Sequence, residues 1–233
     1  MSPKKLIYRA SHSLQCSRHV TQVILQAPLP EFIAYAAGQY LKVSHGDDSD
    51  SPLSIACSPR PDHSIELHIS HPPINPRAHE ILQAVKQKKV LTLRGPYGTI
   101  TPARFTPTKE IIFFVRGTGF APVKALLENF IAQGSQQACH LFWAAAQEDF
   151  YLQDLLREWE QRLNFRFTLA ASRSAEQHKL QHEVVSEYPD LTGYQVYASG
   201  PEVMITDGLQ AFVRHGLTAE NFYSDIFDYD PCD

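Results

Sequence analysis

The strongest chemical signal lies in mid-chain, where Gly117, Thr118 and Gly119 follow an unbroken apolar run, Ile111-Ile112-Phe113-Phe114-Val115. After them Val123, Leu126, Leu127 and Phe130 recur at helical spacing. These residues dictate a strand buried on both faces, a tight glycine turn and a helix. Pro122 falls in the first helical turn, where its missing N–H does no harm, and the free backbone donors there suit a phosphate. Plain turn chemistry between a strand and a helix is the alternative that the Gly-Thr-Gly motif leaves open by itself. The other constellations offer less. His178 and His182 stand four apart on an expected helix. With no intervening Glu and no third ligand in sight, they read as a solvated helical face rather than a zinc site. Cys16, Cys57, Cys139 and Cys232 lack C-x-x-C spacing, which argues against zinc, an iron–sulfur cluster or a disulfide framework. No metal site is expected, and no G-x-S-x-G sequence offers a nucleophile elbow.

Two kinds of segment must position the glycine turn. Up to residue 104 the pattern is short strands broken by turns, with strands at 20–25, 39–43, 65–69 and 90–93. The 65–69 segment alternates as a half-buried strand should. Turn signals at Gly38, 46–50 and 59–62 recur often enough for a small antiparallel barrel. Ala78, Ile81, Leu82 and Val85 share one helical face that could cap its open end. Pro102 and Pro107 mark a linker. Beyond it, strands at 111–115, 139–144, 165–170, 195–198 and 222–227 alternate with helices at 121–132, 151–162, 179–188 and 203–215. That order implies a five-stranded parallel sheet covered on both faces, with ligands at the carboxyl ends of its strands. The expected domains are therefore 1–104 and 105–233.

Composition excludes some partners. A hydrophobic fraction of 43% over 233 residues suits a core-forming protein, and a net charge of −4 gives no broad basic surface for nucleic acid. Leu6-Ile7-Tyr8 meets polar residues at once, too short for a signal peptide, and no run approaches membrane-spanning length. A cytoplasmic protein without a membrane partner is the expectation. The acidic tail, Asp225, Asp228, Asp230 and Asp233, reads as a solvated terminus.

Four motifs in order, Ser51-Pro52-Leu53-Ser54, Gly95-Pro96-Tyr97-Gly98, Gly117-Thr118-Gly119-Phe120-Ala121-Pro122 and Tyr197-Ala198-Ser199-Gly200-Pro201, resemble those of the ferredoxin–NADP reductase superfamily. Chain length and the C-terminal Phe222-Tyr223-Ser224-Asp225-Ile226-Phe227 make the chain most similar to the NAD(P)H–flavin reductase branch. The resemblance implies a six-stranded antiparallel flavin-binding barrel followed by a parallel five-stranded NAD(P)-binding domain. It places Pro52, Leu53 and Ser54 against FAD or FMN, with Ser54 near the flavin N5, His68 toward the flavin side chain, and Gly95 and Gly98 at the barrel exit. It places Gly117, Thr118, Gly119, Ala121 and Pro122 at the pyrophosphate of NADH or NADPH, and Ser199, Gly200 and Pro201 at the nicotinamide end. Ser54 and Ser199 would flank the reacting atoms, and Ser172 and Arg173 would meet the adenosine-side phosphate. Asp225 and Phe227 would line the crevice where the two modules meet, although an ordinary core aromatic is the simpler reading of Phe227.

The departures matter as much as the matches. The family's first motif reads Arg-Pro-aromatic-Ser, so Ser51 and Leu53 forgo a phosphate-binding guanidinium and a ring. Together these losses weaken flavin binding by roughly 2–4.5 kcal/mol, if they add. Loosely held flavin, or none, follows. Arg116 replaces a family glycine; it either assists anion binding by its charge or occupies the dinucleotide's space. Trp143-Ala144-Ala145-Ala146 lacks the glycines and the Arg that relatives carry after that strand. Three activities fit: a flavin reductase, a reductase component passing electrons to an oxygenase or another acceptor protein, and a catalytically silent relative binding nucleotide or partner.

Overall fold

The computed structural model describes residues 3–44, 50–71, 75, 77–87, 89–171 and 180–227. It divides into two compact units, Met1–Pro102 with Ala121–Asn129, and Ala103–Phe120 with Phe130–Asp233.

The first unit holds strands β1 (Lys4–Gln15), β2 (Val20–Gln26), β3 (Tyr40–Ser44), β4 (Asp50–Ser54), β5 (Ile65–Ser70) and β6 (Val90–Tyr97), with helix α1 (Ala78–Gln87) before the last. All pair antiparallel in the order β4-β3-β6-β1-β2-β5. A bridge from Ile55 to Leu67 ties the end of β4 toward β5, leaving a nearly closed barrel. Strand alternation sends Val23, Leu25, Leu41, Val43, Leu67, Leu91 and Leu93 into one core, and α1 adds Ala78, Ile81 and Val85 to it. The six-stranded barrel is thus as expected, but β1 was not legible. Leu6, Tyr8 and Ala10 face the core, but the exposed Ile7 between them and the polar stretch that follows blur the alternation, and the strand is held by pairing with β2 and β6.

Strand β5 corrects a second expectation, because all six of its residues are buried rather than every other one. Its outward side chains meet the part of helix α2 (Phe120–Ala132) that belongs to this unit. Lys124 reaches Glu66 at 3.1 Å and Glu128 at 2.6 Å, and donates to the Ala56 carbonyl at 2.9 Å. Glu66 also accepts from Arg60 (2.5 Å), Gln22 (2.8 Å) and the His68 ring (2.9 Å). Burial opposes charge on Glu66, yet the His68 hydrogen bond and the Lys124 charge outweigh it and hold the carboxyl far below the usual range.

In the second unit β7 (Glu110–Arg116), β8 (Cys139–Ala145), β9 (Phe165–Ala171), β10 (Tyr194–Ser199) and β11 (Phe222–Tyr223) form a parallel sheet in the order β11-β10-β7-β8-β9. Helices α3 (Gln153–Arg162), α4 (Leu180–Glu187) and α5 (Glu202–Arg214) alternate with the strands. Both faces are covered. Ile112, Phe114, Phe142, Val196 and Ala198 pack with residues of α4 and α5 such as Val184, Ile205 and Phe212. On the other face Phe105, Phe113, Phe120, Trp143, Tyr151 and Tyr197 meet in edge and stacked ring contacts. The last strand is shorter than the expected 222–227. It ends at Tyr223, and Asp225–Phe227 forms a 3-10 turn closed by the Phe227 N–H on the Ser224 carbonyl. Among the described residues no helix is long and apolar enough to cross a membrane.

Candidate functional site

The strand order reverses between β7 and β10, and in such sheets the crevice for a ligand opens at the carboxyl ends of the two strands there. The chain leaves β7 through a 3-10 turn, Gly117–Gly119, that runs directly into α2. Gly117 sits at φ +55°, and a Cβ built there meets nothing within 4 Å, so conformation demands glycine and open space adjoins the turn. Gly119 is glycine for another reason: a Cβ would lie 2.2 Å from the Ser199 carbonyl oxygen. Gly200 is constrained less severely: a Cβ there would lie 2.9 Å from the flexible Met204 Cε and 3.1 Å from Arg116 Cβ. The third and fourth motifs, far apart in sequence, therefore touch backbone to backbone.

Trp143, to which no sequence motif assigned a positioning role, holds this arrangement together with the motif residue Tyr197. Trp143 donates its indole N–H to the Gly117 carbonyl at 3.0 Å and stacks on Phe120 at 4.5 Å, fixing the turn from below. Its signal was present only as a large aromatic at the end of a buried strand. Tyr197 donates to Asp225 Oδ2 at 3.1 Å, and burial raises its phenol well above the usual value. Beside it the Ser224 hydroxyl oxygen is buried without a hydrogen-bond partner among the described residues. Phe227 is 52% exposed, which corrects its reading as a core aromatic. Ala121 and Pro122 are buried where the turn enters α2, leaving little side-chain surface there. Ser172, Arg173 and His178 lie outside the described residues.

In the first unit β4 presents Pro52, exposed, and Ser54, half-buried, on the side opposite the core. Ser54 stands in register with Tyr40 and Pro52 with Lys42, while Tyr40 and Lys42 face Tyr97 and Arg94 across β3 and β6. Tyr40 and Tyr97 stack with ring centres 5.6 Å apart, and Lys42 Nζ lies 4.9 Å from the Tyr97 ring centre. Arg94 pairs with Asp50 at 3.2 Å. This strip of hydroxyl, rings and cations was readable in part, because Tyr40 and Lys42 alternate with the core residues Leu41 and Val43. Lys42 is in register with Pro52 and Arg94 pairs with Asp50, the residues on either side of Ser51, where the family guanidinium is lacking. Leu53 is half-buried with its apolar surface against the core. Gly95 abuts Leu41, a Cβ there falling 2.5 Å from its Cδ2, and Gly98 at φ +91° gives its carbonyl to Gln39 at 2.9 Å. His68 does not reach a cofactor face. Its ring has no exposed surface and is spent on Glu66, with burial keeping it neutral by lowering its pKa. Among the described residues no three His, Cys, Asp or Glu side chains converge as a metal site.

The fold and these turns define a class: an antiparallel barrel with a doubly wound, nucleotide-type sheet. Residues 115–209 match the oxidoreductase NAD-binding domain family. A CDP-6-deoxy-L-threo-D-glycero-4-hexulose-3-dehydrase reductase of Yersinia pestis is 30% identical over 209 residues, 87% of this chain and 63% of the relative, so the chain spans just under two thirds of that protein's length. A probable flavin reductase of Vibrio harveyi is 26% identical over 225 residues, 90% of this chain and 94% of the relative. The solved ferredoxin reductase in carbazole 1,9a-dioxygenase shares the fold at a TM-score of 0.79 and 17% identity, over 97% of this chain and 70% of that one. Residues 115–209 thus match an oxidoreductase NAD-binding domain, and the fold of the chain is shared with solved ferredoxin reductases.

Proposed function

We propose that the chain is an NAD(P)H-dependent oxidoreductase that reduces a loosely held flavin, FMN, FAD or riboflavin. The observation that carries this reading is the contact of the Gly117–Gly119 turn with Ser199 and Gly200 at the carboxyl ends of β7 and β10. The residues fit a dinucleotide: the turn adjoins open space, its backbone donors head a helix, and a cation stands at its start. When bound, the nicotinamide would supply a hydride for the flavin ring, so the protein's part would be to orient the two and to exclude water. In this reading residues 1–104 hold flavin and residues 105–233 hold NADH or NADPH. Ser54 hydrogen-bonds the flavin near N5, the Tyr40–Tyr97 pair lines its ring, and Lys42 and Arg94 take the phosphate that position 51 cannot. Pro52, Gly95 and Gly98 shape that strip. Thr118, Gly119, Gly200 and Pro201 frame the dinucleotide, with Ser199 and Phe227 at its nicotinamide end.

The test is to mix purified protein with either nicotinamide nucleotide and each flavin and to follow the nicotinamide absorbance band. Oxidation that depends on added flavin is the expected result; none with any pair, together with no flavin binding at millimolar concentration, sinks the reading and leaves a silent scaffold. A second reading, a reductase component delivering electrons to a protein acceptor, is favoured by the Yersinia relative, whose name makes it the reductase of a dehydrase. Turnover stimulated by a co-purifying acceptor, with little free-flavin reduction, would select it.

A further inference from the structure

Arg116 ends the central strand β7, in register with Ala144 of β8. Its stem is braced by Gly200, whose added Cβ would lie 3.1 Å from Arg116 Cβ, and the next residue, Gly117, adjoins open space. The side chain is half-buried, and burial alone lowers its pKa. Among the described residues none makes a hydrogen bond, an ion pair or a ring contact with its guanidinium. A cation drawn partly out of water without a counter-charge is unfavourable until an anion arrives. Its planar fork of donors matches two oxygens of a phosphate.

We propose that Arg116 is the cation that holds the diphosphate of the nicotinamide dinucleotide over the Gly117–Gly119 turn. This deepens, and rests on, the reading of the second unit as the dinucleotide site. It chooses between the two roles open to an arginine at a family glycine: a ligand for the anion, not an obstruction. The diphosphate is common to NADH and NADPH, so Arg116 raises affinity for both without selecting between them.

ADP-ribose, which carries the diphosphate but no nicotinamide, separates binding from turnover. Calorimetric titration of wild type, Arg116→Ala, Arg116→Gly and Arg116→Lys is expected to show a Kd raised roughly 10–100-fold in the first two variants, with Lys intermediate. KM for NADH and NADPH should rise in parallel, and the salt dependence of Kd should flatten in Ala and Gly. Thermal melting checks each fold, and the Arg116→Lys titration decides the matter if the smaller variants fail to fold. Equal or tighter ADP-ribose binding by the variants overturns this proposal alone. Wild type that neither binds ADP-ribose nor oxidises either nucleotide overturns the underlying functional reading as well.

Discussion

At the scale of single residues, Gly117 and Gly119 of the turn after β7 are glycine for different reasons, and their substitutions should differ accordingly. Gly119→Ala drives a methyl group to 2.2 Å from the Ser199 carbonyl oxygen, where only backbone can move. It is expected to cost about 1–3 kcal/mol of stability and to abolish measurable nucleotide binding, since the two motifs are forced apart. Gly117→Ala meets nothing within 4 Å and pays only for φ +55°. A loss of about 1 kcal/mol with dinucleotide binding retained is expected. Urea melts with ADP-ribose titration check both, and similar losses at the two positions would refute the distinction.

At the scale of elements, a buried ion network joins β5 to residues 121–129 of α2. Removing one partner strands the others, so Lys124→Met is expected to destabilise by about 3–5 kcal/mol. Adding Glu66→Gln should recover part of that loss, because the carboxylate left without Lys124 is then gone; a double variant no better than the single would show that Lys124 contributes packing alone. A second buried set lies at β8. His140 takes hydrogen bonds with the Tyr188 hydroxyl (2.8 Å) and Thr168 (2.9 Å), with Arg166 and Glu187 close by. Burial first, and then the Arg166 charge, lower its pKa to about 3. The sign follows. His68 and His140 are held neutral when folded but protonate near pH ~6.5 when unfolded, so their contribution is full above that value and is lost as pH falls through it toward the folded value. Glu66, also depressed, adds its loss below the ordinary carboxylate value of ~4.3. Unfolding free energy should thus fall from about pH 7 downward by at most about 1.4 kcal/mol per pH unit per group, more steeply below ~4.3. His140→Gln should flatten the upper part of the curve; an unchanged slope would remove His140 from the account.

At the scale of the whole molecule, the flavin is expected to behave as a substrate. A guanidinium and a ring are missing from β4, while Lys42 stands on the neighbouring strand β3 and Arg94 on β6 beyond it. Protein freed of flavin by gel filtration should regain full activity when flavin is returned. Lys42→Ala and Arg94→Ala should each weaken FMN and FAD about 10-fold yet leave riboflavin, which has no phosphate, unchanged. Equal weakening of all three flavins would place the cations elsewhere than at the phosphate.

Much of the architecture was legible from local pattern. The apolar run 111–115 with its glycine turn, the alternation of strands and helices beyond it, and the periodic face of α1 each express a preference that the chain carries segment by segment. What local pattern could not give was anything set by a distant partner. β1 is a strand because β2 and β6 pair with it; β5 is buried twice because Lys124 and Glu128 cover it, which also removes His68 from any cofactor face. The terminal strand stops at Tyr223 because the following residues close a 3-10 turn, with Asp225 bonded to Tyr197. The sequence by itself determined most of the strands, turns and helices, though not β1 or β4, and named the glycines. Only the tertiary structure decided which of those glycines meets a carbonyl, that Arg116 is half-buried with no partner among the described residues, and which histidine is spent, because steric contact and desolvation depend on neighbours brought close only by folding.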